Sequence, residues 1–215
     1  STLVESWNNT AWTEVGDMNT ARDALAGDGT STLALVAGGH ATATTDITEQ
    51  WDGSSWTEVA DMSNARWGVA GAGTTSAFVA MGGYIPPGNT ASQLTEEWNF
   101  SSTLAAGAWA SGGSLNTGKY ASGTAGTQTA ALAFGGSIPP FTATVESYNG
   151  SSWTEVADLN TARDNACSGG TQTAATIGGG TTGSNTAITE TWDNSSWTEV
   201  GDMNTARRTM NGAGA

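Results

Sequence analysis

Four words decide the fold: Asp158-Leu159-Asn160-Thr161-Ala162-Arg163, Ala174-Ala175-Thr176-Ile177-Gly178-Gly179-Gly180, Glu190-Thr191-Trp192 and Trp197-Thr198-Glu199-Val200, all inside the 44 residues 158–201. The last word recurs as Trp12-Thr13-Glu14-Val15, Trp56-Thr57-Glu58-Val59 and Trp153-Thr154-Glu155-Val156, and Trp109 takes the same place ahead of Ala110-Ser111-Gly112. These tryptophans stand 44, 53, 44 and 44 residues apart. Ahead of each lies an acidic-aromatic word: Glu5-Ser6-Trp7, Glu49-Gln50-Trp51, Glu96-Glu97-Trp98, Glu146-Ser147-Tyr148 and Glu190-Thr191-Trp192. Behind each comes one cation, Arg22, Arg66, Lys119, Arg163 and Arg207, so five of the six cations share one repeat position. An apolar run then closes on paired glycines, Leu33 to Gly39, Ala77 to Gly83, Ala130 to Gly136 and Ala174 to Gly180. A fixed period of this length marks a chain built by duplication.

Within a unit, β-branched and aromatic residues come in short runs bounded by Gly, Asn, Asp and Ser, which is strand patterning, and helical spacing is absent. Asp52-Gly53-Ser54-Ser55, Asn149-Gly150-Ser151-Ser152 and Asp193-Asn194-Ser195-Ser196 read as tight hairpin turns, because Gly and Asn supply the positive φ that such turns need. A unit therefore holds four strands, for example Arg163 to Thr171, Thr173 to Gly179, Ala187 to Asp193 and Trp197 to Asp202. Four strands in about 44 residues is the size of a propeller blade.

The motif set resembles the kelch repeat: a double glycine ending an apolar strand, an aromatic about twelve residues on, a Trp shortly after, and a basic residue opening the next unit. Residues 158–201 carry the whole pattern, and the resemblance covers essentially the full chain. It implies an all-β, kelch-like β-propeller. The Thr-, Gly- and Ala-rich wording is similar to kelch-like arrays in proteins of marine bacteriophages and related environmental bacteria. A WD-repeat reading fits less well, since Trp51-Asp52 and Trp192-Asp193 fall at a hairpin turn with no Gly-His opener.

Aligning the units gives five basic-led, four double-glycine, five acidic-aromatic and five Trp-Thr-Glu-Val-type strands. Joining the ends would set Trp197 only 30 residues before Trp12 against the usual 44, a deficit of one strand and its turn. The expected architecture is one domain, 1–215, of five blades: units 18–60, 61–113, 114–157 and 158–201, then a last blade split between 202–215 and 1–17 and lacking one strand. Strands Leu3 to Val15 and Arg207 to Ala215 would close the ring without an open edge. The competing expectation is that 1–215 is a window on a longer array, since Gly212-Ala213-Gly214-Ala215 stops where a double-glycine strand should follow.

Composition excludes several function classes. A formal charge of −14, from 20 acids against 6 Lys+Arg, repels phosphate backbones and provides no basic patch for anionic lipid, so neither nucleic acid nor membrane insertion is expected. One cysteine supports no intrachain disulfide and no Cys-based metal site. One histidine, His40, does not meet the Tyr and His ligand set that copper oxidases among kelch-like propellers require. No Gly-x-Ser-x-Gly elbow surrounds a serine, and no EF-hand spacing appears. Glu96-Glu97 is the irregular acidic pair, but neighbours on a strand face opposite sides. No catalytic residue, metal or cofactor is assigned.

The recurring cations are read as structural, paired with Glu5, Glu49, Glu96, Glu146, Glu190 or with Asp17, Asp61, Asp158, Asp202, because five bare like charges round an axis would repel. Trp12, Trp56, Trp109, Trp153 and Trp197 are read as inter-blade packing. Asn8, Asn99, Asn149 and Asn194 match the glycosylation pattern but are read mainly as turn residues. Function is sought where units differ. The loops after the double glycines carry His40, Tyr84, Ile85, Ile138 and Phe141, expected on one face of the disc, either as a contact surface or as caps on their own blades. The unit from Asp61 to Gly113 adds Phe100 to Leu104, putting its outer strand in doubt and marking it for partner contact. The resulting expectation is a non-enzymatic structural and adhesive module on a phage virion (fibre, spike or decoration protein), at the virion surface or extracellular, contacting other virion or surface proteins and host glycans, alone, as a homo-oligomer or within a longer chain. The alternative is a secreted or cell-surface bacterial lectin-like propeller with pockets between blades built on the repeated tryptophans.

Overall fold

The computed structural model describes residues 2–87, 90–100 and 107–209. A hairpin comes first, β1 (Glu5–Trp7) and β2 (Trp12–Glu14). The first blade is β3 (Ala26–Gly29), β4 (Ala34–Ala37), β5 (Thr48–Trp51) and β6 (Trp56–Glu58). The second is β7 (Ala70–Thr74), β8 (Ala77–Met81), β11 (Thr95–Asn99) and β12 (Ala108–Ser111), with a small hairpin of β9 (Tyr84–Ile85) and β10 (Thr90–Ala91) between its middle strands. The third is β13 (Gly123–Thr127), β14 (Ala130–Phe134), β15 (Val145–Tyr148) and β16 (Trp153–Val156). The fourth is β17 (Cys167–Thr171), β18 (Ala174–Gly178), β19 (Thr189–Trp192) and β20 (Trp197–Glu199). Each blade is a four-stranded antiparallel meander, and the inner strands β3, β7, β13 and β17 stand side by side round an axis. The described residues contain no helix.

Inner strands are built from small residues, and their glycines leave room for the rings of the strand paired with them. A Cβ on Gly71 would lie 2.2 Å from the Phe78 ring, and one on Gly123 would lie 2.5 Å from Phe134. The bulky side chains sit one strand out and fill the spaces between blades. One apolar cluster joins Leu35, Met62 and Val69 to Phe78 and Trp98, a second joins Val79, Met81 and Leu115 to Tyr148 and Trp153, and a third joins Leu132, Phe134 and Leu159 to Ile177, Trp192 and Trp197. Stability therefore resides in three sheet-on-sheet interfaces rather than one central core. Polar links cross the same gaps: Gln128 Nε2 donates to the Phe78 and Trp98 carbonyls, and the Tyr148 hydroxyl donates to Glu97.

Tyr148 gives a pH test of blade packing. Burial, followed by the hydrogen bond to Glu97, pushes its hydroxyl up to about 12. A raised acid binds its proton more tightly when folded, so the stability it confers is whole below pH about 10 and is lost as pH climbs towards 12. Urea unfolding across that window is expected to show the wild type losing stability relative to Tyr148→Phe; parallel curves would refute the coupling.

The five-blade count is corrected: among the described residues four blades assemble, and β1–β2 stands apart as a two-stranded sheet. Residues 200–209 form no strand, and 210–215, where the inner strand from Arg207 to Ala215 was expected to run, lie outside the described residues. β5, β11, β15 and β19, which carry the same acidic-aromatic word, each lie between two strands, whereas β1 has no double-glycine strand beside it and pairs with β2 alone among the described residues. Strand limits shift too, since the cation stands ahead of each inner strand: Arg163 precedes β17, which starts at Cys167. The lengthened second unit does form its outer strand, β12.

Candidate functional site

Each blade is anchored by a buried polar cluster that also positions the axial face. Arg22 meets Glu49 at 3.1 Å, Arg66 meets Glu96 at 2.8 Å, Lys119 meets Glu146 at 3.3 Å and Arg163 meets Glu190 at 3.0 Å, all four pairs shielded from solvent. Burial pulls each cation's pKa down and the facing carboxylate pushes it back up. The same carboxylates accept backbone N–H groups from Asn19, Ser63, Asn116 and Asn160, while the Asn side chains tie to the Trp56, Trp153 and Trp197 carbonyls. The lead segment of every unit is thereby pinned across its own outer strands.

Two residues after each cation the backbone turns through positive φ: 50° at Ala24, 61° at Gly68, 52° at Ala121, 52° at Asn165 and 57° at Thr209. Successive turns are linked round the axis, with Gly68 N–H donating to Ala24 C=O, Ala121 to Gly68, Asn165 to Ala121 and Thr209 to Asn165, at 2.8 to 3.1 Å. They surround a cavity of about 720 Å³ lined also by Asp23, Leu25, His40, Trp67, Val69 and Ser122. That volume suits a small-molecule site.

The residue directly after the cation varies most among the lead segments: Asp23, Trp67, Tyr120, Asp164, Arg208. Bridges set it beside the residue after the double glycine, pairing Asp23 with His40, Trp67 with Tyr84, Tyr120 with Ser137 and Asp164 with Thr181. On the second and third units this gathers three rings, with centroids 4.9 Å apart for Trp67–Tyr84, 5.6 Å for Trp67–Tyr120 and 5.8 Å for Tyr84–Tyr120. All three are half-buried. On the first unit the rim is polar, with Asp23 and His40 exposed. Asp164 is buried on the fourth, its Oδ1 lacking a hydrogen-bond partner; burial pushes its carboxyl up, while Asn165 and Arg208 pull it down.

The candidates read from the sequence divide accordingly. His40 lines the cavity and Tyr84 joins the aromatic cluster. Ile85, Ile138 and Phe141 lie half-buried in the same set of loops, of which Gly88 and Asn89 fall outside the described residues. Phe100 is exposed, its N–H bonded to the Ser76 carbonyl, and the rest of the insertion, to Leu104, falls within residues 101–106, outside the described residues. Of the tryptophans expected to pack between blades, Trp153 and Trp197 are buried there, Trp56 and Trp109 are half-buried with Nε1 donating to the preceding unit, and Trp12 is corrected, being 64% exposed with no blade covering it. Asn8 and Asn149 hold their turns through Oδ1, which accepts the following backbone N–H groups. Trp67, Tyr120 and Asp23 were not singled out from the sequence; the available signal was that the residue after the recurring cation is the most variable of its segment, Asp twice and otherwise Trp, Tyr and Arg. Among the described residues no group of three His, Cys, Asp or Glu side chains is placed to hold a metal ion.

A ring of four-stranded meanders with inner strands round an axis and varied loops on one end defines a β-propeller. Among solved structures the chain is similar to the one titled "Structure of YjhT", with a TM-score of 0.78 at 13% sequence identity, covering 98% of this chain and 80% of that one. No protein-family model matches the chain. No curated protein matches it either.

Proposed function

We propose that this propeller, kelch-like in repeat type, is a non-enzymatic binding module that takes a neutral glycan at the axial cavity. The observation that carries the reading is that Trp67 lines the cavity together with Asp23 and His40, while Tyr84 and Tyr120 join Trp67 in one half-buried aromatic cluster beside it. Apolar sugar faces stack on aromatic rings while hydroxyls bond to a few polar groups, the usual division of labour in a ligand cavity. The net charge of −14 disfavours an anionic ligand. Glu49, Glu96, Glu146 and Glu190 are committed to ion pairs away from the cavity, whose titratable lining groups are Asp23 and His40. Display on a phage virion as part of a fibre, spike or decoration protein rests on the wording of the repeats; a secreted bacterial lectin would use the same site.

A screen against neutral oligosaccharides, followed by calorimetry, tests the reading. One saturable site per chain is expected, with Trp67→Ala weakening it about tenfold, the loss of one stacking contact worth roughly 1.4 kcal/mol. Unchanged affinity in Trp67→Ala, or one site per blade, would overturn the placement; absence of any glycan binding would overturn the ligand class.

A further inference from the structure

We propose that copies of this chain associate head to tail, the β1–β2 hairpin of one copy seating against the fourth blade and the 203–209 segment of the next, with Glu5 paired to Arg207 across the junction. The two surfaces are the separated halves of an arrangement that the molecule otherwise completes four times. In the blades, a lead-segment cation and the Glu on the third strand form a buried pair. Arg207 is the fifth lead cation and Glu5 the fifth such glutamate, yet both are exposed and no ion pair joins them. The 203–209 segment is already shaped for its part: the Arg207 carbonyl accepts Gly180 N–H as the Arg66 carbonyl accepts Gly39 N–H, and Thr209 N–H extends the axial series of bonds.

The apolar parts match in the same way. The outer tryptophan of a blade faces the unit before it, where Trp56 Nε1 donates to the Gly16 carbonyl and Trp109 Nε1 to the Ala60 carbonyl, each at 3.0 Å. Val59 and Trp109 share one inter-blade cluster, and Val156 and Trp197 share another. The fifth set is open: Trp12 is 64% exposed, Trp7 45% and Val200 41%, and Gly201 has nothing within 4 Å of a Cβ position. Glu5 and Trp12 lie on one end of the chain and Val200, Gly201, Asn204 and Arg207 on the other, so a second copy carries the complement of each. Such contacts are heterologous, building a closed ring or a filament according to the rotation per copy.

Sedimentation velocity over a wide range of protein concentrations reads the association directly. Concentration-dependent assembly is expected. Arg207→Glu and Glu5→Arg should each weaken it about tenfold or more, as removal of a desolvated charge pair does. Mixing the two single variants should restore assembly at the matched junction, and so should the double variant alone. Both positions are exposed, so the variants are expected to keep the wild-type melting temperature when dilute. A monomer at every concentration overturns the proposal. If the single variants lower the melting temperature of that monomer and the double variant restores it, the two ends close within one copy instead.

Discussion

Replacing Arg66 by methionine is expected to lower the free energy of unfolding by about 3–5 kcal/mol, the cost of leaving one member of a buried pair without its partner. Arg66 is fully buried, sits 2.8 Å from Glu96, and donates to the Gly82 and Leu94 carbonyls. Removing it strands a carboxylate between blades with the Ser63 N–H as its remaining close donor. Adding Glu96→Gln removes the uncompensated charge while keeping an acceptor for Ser63, so the double variant should be more stable than the single one. Arg207→Met, at the same repeat position but exposed, should change the stability of the dilute protein by no more than about 0.5 kcal/mol. Chemical denaturation of the four proteins checks this, and equal losses at Arg66 and Arg207 would mean that the recurring pairs do not anchor the blades.

That contrast shows what was legible in the sequence and what was not. The repeat of Trp-Thr-Glu-Val words and double glycines gave the all-β propeller, since a 44-residue unit of four short runs has few other ways to bury its apolar faces. It could not give the number of assembled blades, because counting words assumes that every fragment finds its neighbours. Glu5 and Arg207 recur in register with their counterparts, and geometry alone reveals that they stand apart. The ring of lead-segment turns was hidden for another reason: Ala24, Gly68, Ala121, Asn165 and Thr209 share a positive φ and no side-chain chemistry. The aromatic rim was half visible. Tyr84 stood out in its loop, but Trp67 and Tyr120 sit beside Arg66 and Lys119, where the recurrence of the cation drew the reading towards architecture. The Trp67–Tyr84 bridge and the bond from Ala121 N–H to the Gly68 carbonyl bring the three rings together.

Gly82→Ala is expected to be comparably severe, for a backbone reason. The first glycine of the pair has φ of +64°, and a Cβ there would lie 2.3 Å from the Lys119 carbonyl oxygen of the third unit. That oxygen accepts the Gly83 N–H at 2.9 Å, so the double glycine is where one blade's backbone docks on the next. Gly38 and Gly135 repeat the arrangement, with Cβ positions 2.8 Å and 2.7 Å from the Arg66 and Arg163 carbonyls. An alanine at position 82 therefore incurs about 1–2 kcal/mol for left-handed backbone and a further 1–3 kcal/mol for forcing two backbones apart, a loss of roughly 2–5 kcal/mol. Gly183→Ala is the control: its φ is +107° but no atom lies within 4 Å of the added methyl, so only the conformational part, about 1–3 kcal/mol, applies. Thermal and urea unfolding of the two variants should show the larger loss for Gly82→Ala. If Gly82→Ala costs no more than Gly183→Ala, the double glycine serves strand conformation alone, and the blades are held in register by their ion pairs and aromatic clusters without the backbone contact at the axis.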